Sequence, residues 1–390
     1  MVTGIFPPDL GGPASYVPRM AAALAARGRQ VEVICLSDRL DHDDSAHPFS
    51  VRRISRRLFF PVRIAAATLA IWRAARHHDL VYVNGLGSEA SLAALLAGRP
   101  TVHKVVGDYA WERAKSQDLF DGTIDEYQVA KKGLSLRLFD LVRSLPQRLA
   151  HEVIVPSRYL AGLVESWGIS RDKIRVIYNA VALDRSAAHA VPALPAWSGR
   201  TLITACRLVA WKGVDALVRL LHVLPDTRLV IAGSGPLWDE LHALARTTGV
   251  AERVLFLGNI PSSAVAGYLA QADAFVLNST YEGLPHVVLE AMSACIPVIA
   301  TAVGGTGEVV VHDQTGLLIP AGNPAALRAA VERLWADPAL RARLVDHAAV
   351  QLADRFVFDA MLAATDAALT AAAASTQRRP TAPFGTSPAT

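Results

Sequence analysis

Cysteine is scarce in this sequence and shows no pairing. The chain has three cysteines among 390 residues, Cys35, Cys206 and Cys295, and each stands alone in an apolar segment. Structural disulfides and cysteine-ligated metal centres need cysteines at short paired spacings, so neither kind of site is predicted. Unpaired cysteines fit a reducing compartment, and we expect a cytoplasmic protein.

Long apolar runs are also missing. No stretch reaches the ~18 uninterrupted apolar residues of a membrane-spanning helix, because Arg63 and Asp366 interrupt the longest candidates. The first residues, MVTGIFPPDL, reach two prolines and an aspartate before any apolar core, so no signal peptide is expected. The net charge of +4 is small and diffuse, and nucleic acid is not expected as a partner.

Short β-rich segments alternate with helix-length segments along the chain, which is the pattern of parallel sheets covered by helices. Only three residues precede Gly4, so the first strand is very short or the sequence begins inside it. The longer predicted strands are Val31–Leu36, Leu80–Asn84, Thr101–Val106, Glu152–Val155, Arg175–Tyr178, Thr201–Cys206, Arg228–Ala232, Arg253–Leu257, Ala274–Leu277, Pro297–Thr301 and Leu317–Ile319.

The length of the chain predicts two domains of ordinary size. Residues 182–199 have no strong periodicity and are predicted to link a first domain, 1–181, to a second, 200–357. A carboxyl-terminal helix is predicted over 358–370. The last residues, 371–390, are rich in Ala, Thr, Pro and Ser, and are predicted to be disordered.

Two carboxylates, Glu282 and Glu290, bracket the segment EGLPHVVLE. A proline suits the first turn of a helix, whose free amides form an anion site. A phosphate held between two carboxylates suggests a nucleotide sugar, with one acid for sugar hydroxyls and the other for a ribose. The alternative is a surface helix with two solvated acids. The predicted anion-binding segment consists of Leu284, Pro285, His286 and Val287.

Two basic residues follow the strand Thr201–Cys206 in the segment RLVAWKG. Ligands of open α/β sheets bind at the carboxyl ends of the strands, which is where Arg207 and Lys212 are expected. Arginine offers a fork of donors and lysine a mobile point charge, a combination that suits a diphosphate. A solvated loop is the alternative.

Glycine turns follow several other strands, and glycine allows a backbone to approach a ligand closely. Each turn is a weak signal alone, but together they predict a cleft between two facing domains. The glycines concerned are Gly11 and Gly12, Gly233 and Gly235 in GSGP, and Gly304 and Gly305 in TAVGGTGE.

The segments RLVAWKG, GSGP, EGLPHVVLE and VGGTGE, in this order and spacing, resemble the retaining glycosyltransferases of family four, which have the GT-B fold. The segment GIFPPDLGGPASYV resembles their amino-terminal glycine loop, and the resemblance covers residues 1 to about 355. It implies an α/β protein of two facing Rossmann-like domains with an interdomain cleft.

The resemblance also implies a role for each motif. Arg207 and Lys212 would hold the donor diphosphate, Glu290 the nucleotide ribose, and Glu282 the hydroxyls of the donor sugar. The amides of the anion-binding segment would contact sugar and phosphate. Two further pairs would complete the site: Gly11 and Gly12 where diphosphate and acceptor meet, and Asn259 and Ile260 through backbone contacts to the base.

One position departs from the family pattern. The family commonly carries a histidine in a first-domain loop, facing the reacting sugar, whereas here the strand Thr101–Val106 ends in GDYAWERA. Asp108 stands where that group is expected, and is the candidate catalytic residue of this loop. The alternative is a helix N-cap. Glu112 and Arg113, on the next turn, could reach acceptor or phosphate.

The resemblance implies a metal-independent hexosyltransferase that needs no cofactor and uses a UDP-sugar or GDP-sugar donor. Its acceptor would be a glycan, a lipid-linked sugar or a small molecule, in polysaccharide or glycolipid biosynthesis. A nucleotide-sugar-binding protein or non-transferring subunit is the alternative, and would neither transfer nor hydrolyse donor. A nucleotide-sugar epimerase would share the architecture, whereas a Rossmann dehydrogenase needs a G-x-G-x-x-G that GPASYV does not supply.

A basic cluster precedes an apolar, helix-length segment that begins at Leu58. The cluster consists of Arg52, Arg53, Arg56 and Arg57. Basic residues beside an apolar stripe are typical of a helix at a membrane surface, which predicts peripheral contact with an anionic membrane. The alternative is an ordinary crossover helix that packs on the sheet.

Overall fold

The computed structural model describes residues 1–9, 11–181 and 191–377. They form two compact units, each assembled from separate segments of the chain. The first unit contains Met1–Lys104, Ser144–Ile154 and the residues from Leu362 on, and the second contains Val105–Arg143 and Val155–Met361. The domain limits predicted from the sequence stay predictions. Residues 182–190 of the predicted linker and 378–390 of the predicted tail lie outside the described residues.

The first sheet has seven strands in the order β3-β2-β1-β4-β5-β6-β7. Neighbouring strands from β3 to β6 pair in parallel, so the chain must cross over between successive strands. The strands are β1 (Val2–Thr3), β2 (Glu32–Ser37), β3 (Ser50–Ser55), β4 (Val81–Val83), β5 (Thr101–Lys104), β6 (Glu152–Val155) and β7 (Ile174–Val176).

The second sheet has six strands in the order β10-β9-β8-β11-β12-β13, and every neighbouring pair is parallel. Its strands are β8 (Arg200–Ala205), β9 (Thr227–Ala232), β10 (Val254–Gly258), β11 (Ala274–Leu277), β12 (Val298–Thr301) and β13 (Leu317–Ile319). The α/β class with two parallel sheets is therefore confirmed, and each predicted strand has a counterpart.

Helices supply the crossovers in both units. They are α1 (Gly12–Ala26), α2 (Phe60–Ala75), α3 (Gly87–Ala97), α4 (Tyr109–Ser116), α5 (Ile124–Val129), α6 (Leu134–Leu149), α7 (Arg158–Ser166), α8 (Val214–Leu220), α9 (Trp238–Thr247), α10 (Ser262–Leu269), α11 (His286–Ser293), α12 (Pro324–Ala336), α13 (Pro338–Arg355) and α14 (Phe358–Gln377). The last helix continues past its predicted end at 370.

The second sheet is buried on both faces. Leu229 and Ile231 of β9 pack into one core cluster, and Val230, between them, packs into the other. Successive side chains of a strand point to opposite faces, so a strand covered on both sides is apolar throughout. This explains why β11 and β12 are buried at every position, and it gives the strand ends a rigid base.

The strand β3 was not predicted, because its sequence SVRRIS carries two arginines. It lies at the edge of the first sheet, half exposed, where charged side chains are tolerated. The four arginines of the predicted basic cluster are paired with acids: Arg52 with Glu32, Arg53 with Asp44, Arg56 with Asp9 and Asp38, and Arg57 with Asp38. The cluster is therefore largely neutralised within the first unit.

The helix α2, which follows this strand, packs on the first sheet as an ordinary crossover helix. Its buried residues Ala67, Ile71 and Ala75 join a core cluster with Ile34 of β2 and Val83 of β4. The alternative interpretation of this segment is thus confirmed. Among residues 1–9, 11–181 and 191–377, no helix combines the length and hydropathy needed to cross a membrane.

Candidate functional site

Loops after the carboxyl ends of the second sheet's strands carry most of the predicted site residues. Because the strands are parallel, these ends share one edge of the sheet. Arg207 and Lys212 follow β8, Gly233 and Gly235 follow β9, Asn259 and Ile260 follow β10, Glu282 to Val287 follow β11, and Gly304 and Gly305 follow β12.

Lys212 and Glu282 form an ion pair in this group of loops. The Lys212 Nζ donates to Glu282 Oε1 at 2.6 Å, and the Ser279 hydroxyl donates to the same oxygen at 2.6 Å. The two charged side chains are only 18% and 10% exposed, so water screens them weakly. Both hydrogen bonds that described residues give to this carboxylate fall on Oε1, and Oε2 faces no described donor.

The backbone around Lys212 is fixed by the loop after β11. Gly213 has a φ of +57°, and a β-carbon there would overlap the carbonyl oxygen of Asn278. The Asn278 side-chain amide donates to the Gly213 carbonyl at 3.0 Å, and the Thr280 amide donates to the Trp211 carbonyl at 2.8 Å. Two loops that are far apart in sequence are therefore locked together.

The glycines of GSGP pack against the Arg207 loop. A β-carbon at Gly233 would overlap the Cys206 carbonyl, and one at Gly235 would overlap the Leu208 carbonyl. The Leu208 amide donates to the Ser234 carbonyl at 3.0 Å. This packing explains both glycines without a ligand, and it sets the position of Arg207, whose side chain is exposed at the pocket.

A second glycine turn braces the loop that carries Glu282. The Gly305 amide donates to the Glu282 carbonyl at 2.9 Å, and a β-carbon at Gly305 would overlap the Gly283 carbonyl. The Ser157 hydroxyl donates to that Gly283 carbonyl at 2.6 Å. The turn ends at Glu308, whose carboxylate accepts the first amides of α7 and so serves as a helix cap.

The helix α11 begins at His286, and Pro285, which was expected in its first turn, is its N-cap. Proline has no N–H, so the anion-binding segment can offer only the amides of Leu284, His286 and Val287. The His286 ring lies 3.3 Å from Glu290 Oε1, one turn along the helix. Glu290 therefore has an internal partner as well as partial exposure.

Three aromatic side chains form an apolar wall beside the ion pair. Trp111 of α4 packs on Trp211 at 5.4 Å and edge-on against Tyr281 at 5.1 Å between ring centroids. Burial raises the pKa of the Tyr281 phenol well above its usual range. Its hydroxyl has no hydrogen-bond partner among the described residues, although it is buried at the pocket. A ligand that supplied a partner would remove this cost.

Glu112 of α4 enters the same pocket. A β-carbon at Gly107 would lie 2.7 Å from Glu112 Oε1, so any other residue at position 107 would displace the end of the Glu112 side chain. Burial raises the pKa of Glu112 to about 7, and the nearby Asp108 carboxylate adds to this against the opposing effect of Lys212 and Arg207. Glu112 is therefore a carboxyl group that changes charge near neutral pH inside an otherwise basic pocket.

Asp108 is not among the residues that line the pocket. Its Oδ1 accepts from the amides of Ala110 and Trp111 at 2.9 and 3.2 Å, which caps α4. Its Oδ2 accepts from Arg143 at 2.8 Å and from Gln128 at 2.9 Å. Both oxygens are occupied within the protein, so the N-cap alternative is confirmed, and Glu112 takes the place in the pocket that was predicted for Asp108.

The pocket has a volume of about 230 Å³. It combines two cations, two carboxyl groups and aromatic surface, which suits an anion that carries a polar, hydroxyl-bearing group. Its lining residues are Val106, Glu112, Arg207, Val209, Trp211, Lys212, Tyr281, Glu282, Gly283 and Leu284. Within the described parts of the chain, no group of three or more His, Cys, Asp or Glu side chains could hold a metal ion.

Four of the predicted site residues line this pocket, Arg207, Lys212, Glu282 and Leu284, and the others do not, including Glu290 and residues 285–287. Four of those others belong to loops that have not yet been described. Gly11 is the N-cap of α1 in the first unit, with a φ of +138°, and Gly12 begins that helix. Asn259 is exposed and Ile260 half-buried, in the loop that follows β10. None of these four residues lines the pocket, and their predicted contacts with donor or acceptor stay predictions.

Sequence reasoning missed the aromatic wall. Trp211 directly precedes Lys212, and Tyr281 directly precedes Glu282. Their positions next to predicted site residues could have indicated that these two aromatic side chains lie at the pocket. Trp111 gave no such signal, because its contacts are with residues far away along the chain.

Comparison with known families gives matches over most of the chain. The profile of Glycosyltransferase Family 4 matches residues 10–185, and that of Glycosyl transferases group 1 matches residues 197–351. A D-inositol 3-phosphate glycosyltransferase of Xylanimonas cellulosilytica is 30% identical over 413 residues, covering 95% of this chain and 94% of that protein.

Other curated relatives match only in part. A GDP-mannose-dependent alpha-(1-6)-phosphatidylinositol monomannoside mannosyltransferase of Mycolicibacterium smegmatis is 38% identical over 143 residues, which is 34% of this chain and 37% of that protein. The chain likewise spans 40% of the length of a glycosyltransferase of Methanocaldococcus jannaschii, and 43% of the length of the lipopolysaccharide core biosynthesis glycosyltransferase LpsD of Rhizobium meliloti.

Solved structures share the fold over nearly the full length. Sucrose-phosphate synthase from Thermosynechococcus elongatus superposes with a TM-score of 0.78 at 22% identity, covering 96% of this chain and 98% of that one. Anabaena HepE in complex with UDP and glucose gives a TM-score of 0.75 at 21% identity, covering 95% and 98%.

Proposed function

This chain belongs to glycosyltransferase family 4 and has the GT-B fold, and from that membership we propose that it is a retaining hexosyltransferase. It would transfer a sugar from a nucleotide-diphosphate donor to a hydroxyl of a glycan, a lipid-linked sugar or a small molecule. The observation that carries the proposal is the pocket at the carboxyl edge of the second sheet, where Arg207, Lys212 and Glu282 meet.

The cations of the pocket suit the leaving group. Departure of a nucleoside diphosphate builds negative charge on its terminal phosphate, and preorganised positive groups lower the barrier by stabilising that charge. Lys212 is held in place by Glu282, and Arg207 by the packing of its loop on Gly233 and Gly235. The amides at the start of α11 would add further donors to the diphosphate.

The carboxylate of Glu282 suits the donor sugar. Lys212 and Ser279 hold it through Oε1, which leaves Oε2 as an acceptor for sugar hydroxyls. Glu290, further along α11, is proposed to accept from the ribose, in exchange for or beside its contact with His286. The unpaired hydroxyl of Tyr281 is a further group that the bound donor could satisfy.

We propose UDP-sugars or GDP-sugars as donors. Among the relatives, one is named as GDP-mannose-dependent, and one neighbouring fold was solved with UDP-glucose. We further propose transfer without a metal ion and without a separate cofactor, because Arg207 and Lys212 supply the positive charge that a metal would otherwise bring. The configuration at the anomeric carbon of the sugar would be retained if the acceptor hydroxyl attacks from the same face that the diphosphate leaves.

We propose that the protein is located in the cytoplasm. We also propose that it contacts an anionic membrane. The arginines from Arg52 to Arg57 do not support such contact, because they are paired with acids of the first unit. Any membrane contact must therefore use another surface.

The test of the proposed function has two steps. The first is a thermal-shift panel of UDP-, GDP- and ADP-sugars, in which a bound donor raises the melting temperature by mass action. The second is transfer, or slow hydrolysis, of the radiolabelled donor so identified, with Arg207→Ala as the matched control for the assay. Stabilisation without any transfer or hydrolysis would indicate a sugar-nucleotide-binding protein, and no stabilisation by any donor would overturn the proposal.

A further inference from the structure

The helix α3 is apolar on its outward side as well as on its buried side. The buried side consists mainly of alanines, which pack into a core cluster shared with α2. Three large side chains on the outward side are 50%, 70% and 64% exposed and fall within an arc of roughly 100° around the helix axis. These residues, named here the α3 patch, are Leu92, Leu95 and Leu96. A helix that is apolar all round is normally covered on all sides, so the α3 patch indicates an interaction surface.

One charged residue stands at each end of α3, and the two have opposite signs. Glu89 lies in the first turn of the helix, and Arg99 directly follows the C-cap Gly98. Both are half-buried, and no residue that the structure describes forms an ion pair with either side chain. The Arg99 Nε is buried without a hydrogen-bond partner among those residues. An acceptor from outside the chain would remove the cost of this unpaired donor.

The outward residues and the two charges are arranged symmetrically about the level of Ala94. Leu92 and Leu96 lie two residues before and after it, and Glu89 and Arg99 lie five residues before and after it. A second α3, packed antiparallel across a two-fold axis at this level, would set Leu92 against the partner's Leu96. The same axis would set Glu89 against the partner's Arg99. A parallel pairing would instead bring together charges of the same sign.

From this arrangement we infer that the α3 patch is the interface of a homodimer, in which a second copy of the chain binds through the same patch. The leucines of both copies form its apolar centre, and two pairs of Glu89 with Arg99 lie at its edges. A lipid bilayer fits less well, because helices at a bilayer surface carry basic residues beside the apolar face. None occurs from Gly87 to Ala97. The α3 patch lies in the first unit, and the inference does not depend on the proposed transfer reaction.

The neighbouring helix α2 extends the apolar surface. Its residues Val62 and Leu69 are 52% and 43% exposed, which adds to the area that a stable dimer buries. Since α2 and α3 both connect successive parallel strands, they run in the same direction. The two-fold axis therefore brings the basic end of α2, with Arg73 and Arg76, to the start of the partner's α2 at the exposed Phe60. Arginine and an aromatic ring attract each other, so this contact is compatible with the dimer.

The first test is sedimentation velocity of the full chain over a wide range of protein concentrations. Wild type should sediment as a dimer. The variant Leu92→Gln/Leu95→Gln/Leu96→Gln keeps good helix formers and should raise the dissociation constant at least about 100-fold, since it removes the apolar centre of the interface.

The matched control replaces three apolar residues of similar exposure elsewhere. Leu40→Gln/Leu119→Gln/Val350→Gln changes side chains that are 56%, 48% and 62% exposed, and should leave the dimer intact. Melting temperatures and stabilisation by UDP or GDP should be similar in both variants and wild type. The donor site is therefore tested separately, and its failure would not affect this inference.

The second test exchanges the charges. Glu89→Arg and Arg99→Glu each set like charges against each other at both edges, and each variant alone should dimerise roughly 10- to 100-fold more weakly than wild type. An equimolar mixture of the two variants should recover the affinity of wild type, because every pair across the axis again joins opposite charges. The variant Glu89→Arg/Arg99→Glu, which carries both changes in one chain, should also dimerise like wild type.

Three results would overturn the inference. One is a wild-type chain that stays monomeric at high concentration, and another is a dimer that the leucine variant leaves intact. The third is a mixture of the two charge variants that associates no better than either variant alone. A monomer that binds vesicles of phosphatidylcholine and phosphatidylglycerol, and loses this binding in the leucine variant, would assign the α3 patch to a bilayer instead.

Discussion

Lys212 and Glu282 form an ion pair, so a substitution of either residue leaves the charge of the other without its partner. We expect Lys212→Ala to lower the rate of sugar transfer by roughly 10²- to 10³-fold, because it removes a preorganised charge from the leaving phosphate. It should also lower the melting temperature, since Glu282, only 10% exposed, would lose its cation. Near-normal transfer by this variant would contradict the assignment.

Two controls separate stability from chemistry. Arg207→Ala removes an exposed charge, so it should reduce transfer with little change in melting temperature. The double variant Lys212→Met/Glu282→Gln removes both members of the pair, and should recover thermal stability without recovering transfer. Rates come from radiolabelled transfer and stabilities from thermal unfolding.

Glu112 should make donor binding depend on pH. Its folded pKa of about 7 lies above the ordinary 4.5, so the carboxyl group is neutral below about pH 7 and anionic above it. Raising the pH through 7 therefore adds negative charge beside Arg207 and Lys212, and the affinity for a nucleotide sugar should fall. Titration calorimetry at several pH values should show this fall for wild type and a flatter profile for Glu112→Gln.

The same shift has a consequence for stability, with the sign set by linkage. Because the folded state holds the Glu112 proton more tightly than the unfolded chain, the stability that this group contributes is present at low pH and is lost as the pH rises from 4.5 through about 7. The melting temperature of Glu112→Gln relative to wild type should therefore increase over this range. A difference that stays constant with pH would exclude the raised pKa.

At the scale of elements, the loops of the donor pocket are kept in place by backbone contacts with one another. Two of the three glycines in the turn after β12, Gly305 and Gly307, differ in what surrounds them. A β-carbon at Gly305 would overlap the Gly283 carbonyl, whereas nothing lies within 4 Å of one at Gly307. Gly305→Ala should therefore displace the Glu282 loop, and we expect it to cost about 1–3 kcal/mol of stability and much of the donor affinity.

Gly307→Ala is the matched control for this prediction, because it makes the same change in the same turn. It should leave both the unfolding free energy in urea and the donor affinity near wild type. Equal effects of the two substitutions would show that the turn responds to lost glycine flexibility and not to the contact with Gly283.

At the scale of the whole molecule, the proposed transfer without a metal ion leads to a simple test. Among residues 1–9, 11–181 and 191–377, no group of three or more His, Cys, Asp or Glu side chains could hold a metal ion. Excess EDTA should therefore leave the transfer rate unchanged, with EDTA already saturated with magnesium as the control. Loss of activity that added Mg²⁺ or Mn²⁺ restores would show that a metal, and not Arg207 and Lys212, meets the charge of the leaving group.

The sequence alone determined the fold class and the edge of the sheet where the pocket lies. A strand such as β11 is uniformly apolar because it is buried on both faces, and that pattern is visible without a structure. Parallel strands bring their carboxyl ends to one edge, so the placing of Arg207, Lys212 and Glu282 in one group of loops also followed from local patterns.

Only the tertiary structure decided what each polar residue touches. Asp108 and Glu112 are both acidic residues of one short segment, and the sequence does not distinguish their roles. In the structure Asp108 caps α4 and pairs with Arg143, whereas Glu112 lines the pocket. In the sequence, the arginines from Arg52 to Arg57 form a basic cluster with no acidic residue among them. In the structure they pair with acidic residues from other segments of the chain. Likewise α6 has an ordinary amphipathic pattern, and only the buried partners of Arg143 show that its apolar face points outward. Burial and pairing are set by residues far apart in the chain, which periodicity within a short segment does not report.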